Sequence, residues 1–116
     1  MSYVDGVVIP VPVANKEKYT ALAEKMAGMF KEHGALQAVE CWGSDIPPGQ
    51  FTSMPMAVQL KEDETVVFSW IMWPSKEVRD QAWEKIMAAG DMHGPDGMPF
   101  DGMRLIYGGF DVIVEA

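Results

Sequence analysis

The sequence has little cysteine, few basic residues and no long apolar run. Cys41 is the single cysteine among 116 residues, so neither an intrachain disulfide nor a thiolate-rich zinc site is available. Nine Lys and Arg residues stand against 17 Asp and Glu residues, which gives a formal net charge of -8. Because nucleic acid backbones and anionic membranes are bound by clustered basic side chains, we expect neither among the partners of this protein.

The remaining composition describes one folded domain. Hydrophobic residues make up 48% of the chain and charged residues 22%, which is ordinary for a globular protein, and the length leaves no room for a second independent core. No run of about twenty apolar residues could span a bilayer, and no positively charged leader opens the sequence. We therefore expect a single domain over residues 1–116 in the cytoplasm, where a lone thiol stays reduced.

Apolar periodicity predicts six main elements in the order β-α-β-β-α-β. The predicted strands are Tyr3–Val11, Leu36–Trp42, Thr65–Trp73 and Arg104–Val114. The predicted helices lie between Asn15 and His33 and between Ser75 and Gly90, with Asn15 and Ser75 as N-caps and Gly90 at the C-terminal end. The segments 44–56 and 90–103 are rich in Pro and Gly, and the sequence leaves their conformation open.

Two further segments carry local signals. Met54 to Leu60 alternates apolar and less apolar residues and is predicted to be a short extended arm, edge-like because of Pro55. The pair Gly108-Gly109 interrupts the last predicted strand, which indicates a bulge or a close backbone approach.

This order of elements predicts an α+β fold, in which a ferredoxin-like antiparallel sheet carries two helices on one face. The strands are nonetheless apolar on both faces: in the third strand Val66, Phe68 and Trp70 alternate with Val67 and Ile71. Leaving such side chains in water would forfeit about 1.5 to 3 kcal/mol each. We therefore expect a second copy of the chain to cover the helix-free face, giving a homodimer in which two sheets close as a shared barrel.

Strings spread over nearly the whole chain carry a family resemblance. They are FKEHGAL at 30–36, VECWG at 39–43, VVFSWI at 66–71, PSKEVRD at 74–80, MPFDG at 98–102 and RLIYGGF at 104–110. Together they resemble a YbaA-like bacterial family of unknown function. The resemblance implies a dimeric α+β barrel, a superfamily that also contains small monooxygenases, decarboxylases, isomerases and haem-degrading enzymes, and it implies no established reaction.

Glu40 is the first candidate for chemistry, because it is a carboxylate on the same face as Trp42 in a strand predicted to be largely buried. A buried carboxylate requires a partner or a raised pKa. In one interpretation Glu40 is a general base or ligand anchor in a pocket lined by Trp42 and Trp70, and Arg104 holds an anionic substrate. In the other, Glu40 and Arg104 form an ion pair that fixes strand register.

Ser69 and Tyr107 complete the candidate ligand-binding set, because each is a hydroxyl in an otherwise apolar strand; each could also simply bond to backbone. The four tryptophans and ten methionines suit a flat aromatic ligand and equally suit a core or a dimer interface. Cys41 is interpreted as a buried, inert thiol, because the sequence implies no base beside it.

The sequence predicts no cofactor and no metal. Asp91, His93 and Asp96 are possible metal ligands, but a loop rich in Gly and Pro gives them no rigid geometry. His33 lies at the end of the first helix, where a positive charge complements the helix dipole, so capping is preferred to catalysis or haem ligation. There is no phosphate-binding glycine loop, nucleophile elbow or dinucleotide fingerprint.

Two functional hypotheses remain. In the first, the barrel binds a small, largely apolar molecule and, if it is enzymatic, acts as a cofactor-independent monooxygenase or isomerase. In the second, the protein is a non-catalytic binding or interaction module with a solidly packed dimer interior. An enclosed pocket of about 300 Å³ or more that holds a polar pair would favour the first.

Overall fold

The computed structural model describes residues 2–90 and 98–116. The strands are β1 (Tyr3–Pro12), β2 (Gln37–Trp42), β3 (Glu64–Trp73) and β4 (Ile106–Asp111), and the helices are α1 (Lys16–Glu32), α2 (Met54–Ala57) and α3 (Lys76–Ala89). A single 3-10 turn, Val13–Asn15, joins β1 to α1. Within the described ranges, no helix is long and apolar enough to cross a membrane.

The four strands form one antiparallel sheet in the order β2-β3-β1-β4. At the centre of the sheet, Gly6 on β1 lies opposite Trp70 on β3 and opposite Gly108 on β4. On β2, Glu40 lies opposite Ser69 of β3. The predicted α+β class and antiparallel sheet are confirmed. Because β2 and β4 are the two edges, side chains on these strands are separated by the two strands between them.

Both long helices pack on the same face of the sheet. The rings of Trp73 on β3 and Trp83 on α3 meet the edge of Phe30 on α1, with centroid distances of 6.1 and 5.2 Å. Two core clusters lie under the helices, made of Tyr3, Phe30, Ala35, Ile71, Trp73, Ala82 and Ile86 in one and of Ile9, Val11, Tyr19 and Val67 in the other. The odd-numbered residues of β1 and β3 therefore face the helices.

The opposite face of the sheet carries neither long helix. We call it the open face, and it is formed by Val4, Gly6, Val8, Gln37, Val39, Cys41, Phe68, Trp70, Met72, Ile106, Gly108 and Phe110. Phe68, Ile106 and Phe110 are 39%, 43% and 57% exposed. At one end of the same face, Pro10 and Val66 are buried by the chain itself. The sheet is therefore apolar on both faces, as the strand pattern predicts.

The predicted extended arm at Met54 to Leu60 is wrong, because its first residues form the single-turn helix α2. The Ser53 hydroxyl accepts a hydrogen bond from the Met56 amide at 3.1 Å, which caps the turn. Pro55 lies in the first turn, where a missing amide donor costs nothing. The apolar alternation of this segment is therefore compatible with one helical turn followed by the buried Val58.

The helix ends agree with the sequence in part. Ser75 caps α3 as predicted, accepting from the Val78 amide at 3.2 Å, and Gly90 ends α3 in the left-handed region at φ +68°. Asn15 occupies the predicted N-cap position of α1, but its side chain makes no cap hydrogen bond. Its amide nitrogen instead donates to the Pro99 carbonyl at 2.9 Å, which ties the start of α1 to the segment before β4.

The last strand is shorter than the predicted Arg104–Val114, and its glycine pair is not a bulge. The register between β1 and β4 continues without interruption through Gly108 and Gly109. A Cβ atom at Gly109 would collide with the Tyr3 hydroxyl. The prediction of a close approach is thus confirmed, and Gly109 is required because the Tyr3 ring lies against its backbone.

Candidate functional site

Glu40 projects from β2 toward α1 on the helix side of the sheet. The Tyr19 hydroxyl donates a hydrogen bond to Oε1 of Glu40 at 2.5 Å. The Ser69 hydroxyl, on the neighbouring strand β3, also hydrogen-bonds the Glu40 carboxyl. The site therefore joins one helix and two strands through a single carboxylate, which stays accessible on its other side because Glu40 is an exposed residue of an edge strand.

Burial shifts the pKa values of this pair. Burial of the carboxyl raises the pKa of Glu40 above its ordinary value, although the hydrogen bonds from Tyr19 and Ser69 act in the opposite direction. Burial also raises the pKa of Tyr19, and hydrogen bonding to Glu40 adds to this effect. Tyr19 is consequently a firm hydrogen-bond donor, and Glu40 is the acceptor whose pKa is raised by burial.

A groove of about 250 Å³ lies between α1 and β2, beside the carboxyl of Glu40. Small side chains create the space, because Ala23 and Ala27 on α1 face Ala38 on β2. At one end, the Lys16 ammonium lies over the Trp42 ring, 5.4 Å from its centroid. The other lining residues are Tyr19, Thr20, Glu24, Cys41 and Val67. The walls are thus mainly apolar and the polar groups are few.

The structure brings together only part of the predicted site. Glu40 and Trp42 share the helix side of the sheet, as the strand alternation predicts, and Ser69 of β3 lies on the same side. Trp70 is on the open face, so the predicted pocket between Trp42 and Trp70 is wrong. Tyr107 is 79% exposed on the far edge strand β4, and the structure does not bring it to Glu40.

Arg104 pairs with Glu64 instead of Glu40, which corrects the predicted ion pair. Its Nη1 and Nη2 atoms donate to the two carboxylate oxygens of Glu64 at 2.7 and 2.5 Å, and its Nε donates to Asp101 at 2.9 Å. Nη1 also donates to the Gln59 carbonyl at 2.9 Å. Hydrogen bonds from Arg104 lower the pKa of Glu64. Arg104 therefore fastens the segment after α2 to the segment before β4 and is not placed to hold a substrate at Glu40.

Two features of the helix side escape the sequence analysis. Tyr19 follows the apolar spacing of the first helix, and a hydroxyl on an apolar helix face is itself a signal for a polar partner. Asp5 lies in the middle of the valine-rich first strand and is buried. Its carboxylate accepts hydrogen bonds from Trp73 at 2.9 Å and Trp83 at 3.0 Å, and from Arg79 at 2.8 Å. Asp5 is fully engaged, so it serves to anchor α3 on the sheet.

The remaining candidates have simple placements. His33 lies just after α1, and its Nδ1 atom is 2.8 Å from the Met29 carbonyl oxygen, a local contact at the helix end. Cys41 is partly buried and free. Asp91, His93 and Asp96 lie outside the described residues. Within residues 2–90 and 98–116, no three His, Cys, Asp or Glu side chains come together as a set that could hold a metal ion.

Sequence comparison identifies relatives along the full length of the chain. It is 53% identical over 116 residues to the uncharacterised protein YbaA of Escherichia coli strain K12, with 99% of each chain covered. The same values hold for the uncharacterised protein YbaA of Shigella flexneri. Among solved structures, the chain is similar to CPII from Thiomonas intermedia K12 bound to ADP, AMP and acetate, and the alignment covers 97% of this chain and 91% of the CPII chain. The two chains share 14% identity, and the superposition has a TM-score of 0.37.

The family comparison agrees with the resemblance seen in the sequence. Residues 2–102 match the family described as "Protein of unknown function (DUF1428)". This match covers α1, β2 and β3, and with them Tyr19, Glu40 and Ser69. The chain therefore belongs to the DUF1428 family of proteins of unknown function.

Proposed function

We propose that the protein is a cytoplasmic homodimer that binds a small, largely apolar molecule in the groove between α1 and β2, with Glu40 as the group that handles a proton. The observation that carries this proposal is the Tyr19–Glu40 hydrogen bond beside a groove lined by alanines. The position differs from the barrel interior expected from the sequence, because Glu40 and Trp42 face the helices. The free thiol of Cys41 fits a reducing compartment.

The dimensions and lining of the groove support a ligand of one small ring. Its volume of about 250 Å³ lies just below the range of about 300 to 1,000 Å³ that is typical of small-molecule sites. The apolar walls suit a hydrocarbon body, and the Trp42 ring offers a flat surface at one end. A single hydroxyl or carbonyl on the ligand would find Glu40 at the side of the groove and the Lys16 ammonium at its end.

If the bound molecule is turned over, the chemistry that Glu40 supports is proton transfer. A carboxyl group with a raised pKa can take a proton from a carbon next to a carbonyl and return it to another carbon of the same molecule. This isomerisation needs no further reactant, because the proton and the electron pair stay within the substrate. Tyr19 acts as a positioning residue, since its hydrogen bond fixes which oxygen of Glu40 is free to face the groove.

The same base could begin a cofactor-independent monooxygenation. The substrate anion formed by Glu40 would then react with molecular oxygen as the oxidant. One oxygen atom would enter the substrate at a CH₂ group to form a carbonyl, and the two hydrogens would leave with the other oxygen atom as water. Isomerisation is the simpler reaction, because it needs no oxidant and uses only the residues at the groove.

A non-catalytic role is the second candidate, favoured by the apolar side chains exposed on the open face. Phe68, Ile106 and Phe110 are exposed there, and a protein that acts through an interface needs such a surface more than it needs a groove. Homodimerisation is common to both proposals. It would cover the open face and leave the Glu40 groove, on the other side of the sheet, accessible.

The test is a fragment screen by thermal shift and by chemical-shift changes in the ¹H–¹⁵N NMR spectrum, using small phenols and cyclic ketones. The proposal expects hits whose shifts cluster on α1 and β2, and it expects Glu40→Gln to weaken their binding at least tenfold without lowering the Tm of the protein. Glu62→Gln, in the exposed turn before β3, is the matched control. Hits that bind equally well to Glu40→Gln, or that map to the open face, would contradict the proposed site.

A further inference from the structure

We infer that the C-terminal arm, residues 112–116, crosses to the second copy of the chain and buries Ile113 and Val114 against it. This inference rests on the homodimer of the proposed function and assigns the segment that holds the two copies together. The argument uses the exposure of the arm, the charge of the chain and the area that a stable dimer requires.

The arm extends beyond the sheet of its own chain. β4 pairs with β1 as far as Asp111, which lies opposite Tyr3, and one more hydrogen bond joins the Val112 amide to the Ser2 carbonyl at 3.2 Å. The residues after Val112 extend past the end of β1. Ile113 and Val114 are 86% and 82% exposed, although β-branched residues favour strands and half-buried surfaces.

The apolar surface is continuous from the open face onto the arm. Phe110 precedes the arm by two positions, and its ring lies over the backbone of Gly6 and Gly108 on the open face, where a Cβ atom of either glycine would be 3.3 Å from it. The arm therefore begins at the edge of the surface that the homodimer would cover. A chain that approaches this face meets Phe110 and then the arm.

Charge favours a second copy over a different partner. The chain has a net charge of -8, so two copies repel one another except where their surfaces are uncharged. The exposed apolar residues of the open face carry no charge, and the Glu64 carboxylate at one end of the face is paired with Arg104. In the arm, Val112, Ile113 and Val114 are uncharged and precede Glu115. A basic partner would be drawn to acidic surfaces elsewhere. A neutral, self-complementary patch with a two-fold axis is where two acidic copies can meet.

Area explains why the arm is needed. Strands β1 and β3 are ten residues long and β2 and β4 are six, so the four strands, at about 4.8 Å spacing, present a flat surface of roughly 500 Å². A stable interface of standard size buries about 800 Å² on each partner. The open face therefore falls short of that size, and the two arms, each laid on the other copy, extend the contact toward it.

The experiment measures dimer dissociation by sedimentation equilibrium for four proteins. These are the full chain, a chain that ends at Asp111, the double variant Ile113→Ser/Val114→Ser, and Phe51→Ser as a control with an exposed aromatic residue in the loop before α2. A mixed sample of labelled and unlabelled full chain then allows isotope-filtered NMR to separate contacts between copies from contacts within one copy.

The inference expects a dimer whose Kd rises at least a hundredfold in the truncated and double-serine proteins, because both arms of the dimer lose their two aliphatic side chains. The Kd should stay unchanged in Phe51→Ser. The inference also expects contacts between copies from the Ile113 methyl groups. If the chain that ends at Asp111 dimerises as tightly as the full chain, the arm is not part of the interface, although the homodimer itself is retained. A full chain that is monomeric contradicts both the homodimer and the crossing of the arm. Ile113 contacts that are confined to one copy contradict the crossing of the arm.

Discussion

The Tyr19 hydroxyl lies 2.5 Å from Oε1 of Glu40, and this hydrogen bond joins the first turns of α1 to the edge strand β2. It places an ionisable group beside the groove and orients it at the same time. Ser69, buried on β3, supplies a second hydrogen bond to the carboxyl. The arrangement stabilises the ionised form of Glu40 against the burial that disfavours it, and each of these contributions can be removed separately.

Removing the Tyr19 hydroxyl should raise the pKa of Glu40 further. The hydrogen bond from Tyr19 lowers this pKa, whereas the larger effect of burial raises it. Tyr19→Phe removes the hydrogen bond, so the effect of burial raises the pKa of Glu40 further. The measurement is an NMR titration of the Glu40 carboxyl carbon. Tyr107→Phe is the matched control, because this exposed tyrosine lies on the opposite edge of the sheet. A pKa for Glu40 that falls or stays constant in Tyr19→Phe would refute this account.

The pH dependence of stability should have opposite signs at Glu40 and Glu64. The pKa of Glu40 is raised in the folded protein from an ordinary value of 4.5, so its contribution to the unfolding free energy is present below 4.5 and is lost as pH rises through the raised value. The pKa of Glu64 is lowered from 4.5, so its contribution is present above 4.5 and is lost as pH falls through the lowered value.

Urea unfolding at a series of pH values compares the two sites. Glu40→Gln should flatten the decline in stability above pH 4.5, and Glu64→Gln should flatten the decline below it. Asp45→Asn, at an exposed loop position, should change neither slope. Equal slopes for Glu40→Gln and the unsubstituted protein would show that Glu40 has the same pKa in both states.

Truncating Asp5 should be among the most destabilising single changes in the chain. Its carboxylate is buried and accepts hydrogen bonds from Arg79, Trp73 and Trp83, so Asp5→Ala leaves a guanidinium and two indole donors without their acceptor. We expect a loss of about 3 kcal/mol in unfolding free energy, as for other broken buried pairs. Asp63→Ala, at an exposed position, should stay within about 0.5 kcal/mol. Similar losses for the two variants would contradict the anchoring role.

The sequence predicted what depends on local periodicity and failed where distant segments meet. The strands, the cap at Ser75 and the shared face of Glu40 and Trp42 follow from alternation and capping chemistry, which act over a few residues. The partner of Arg104 does not follow from local patterns, because it depends on the strand order. Arg104 lies just before β4, and two strands separate β4 from β2, which carries Glu40. The Met54–Ala57 turn was missed because a period of two and a single helical turn are indistinguishable over four residues.

A charge on the open face should separate the proposed homodimer into monomers. Phe68 is 39% exposed in the centre of this face, where its ring meets Trp70 at a centroid distance of 5.7 Å. Phe68→Asp would place a carboxylate in each half of a desolvated interface. Light scattering after size exclusion should then report a monomer, while Phe51→Asp, in the exposed loop before α2, leaves the dimer intact. A Phe68→Asp protein that remains dimeric would move the interface to another surface.

Filling the groove should block ligand binding without disturbing the fold. Ala27 lines the space between α1 and β2, and a Leu side chain in its place would occupy much of a groove of about 250 Å³. Leu and Ala have similar helix propensities, so α1 should form as before. We expect Ala27→Leu to keep its Tm within a few degrees and to lose at least tenfold in affinity for the phenol and ketone fragments that bind the unsubstituted protein. Ala88→Leu, on an exposed position of α3, controls for the added apolar surface. Fragments that bind both leucine variants equally well do not occupy this groove, and Glu40 would then act only as the link between α1 and β2.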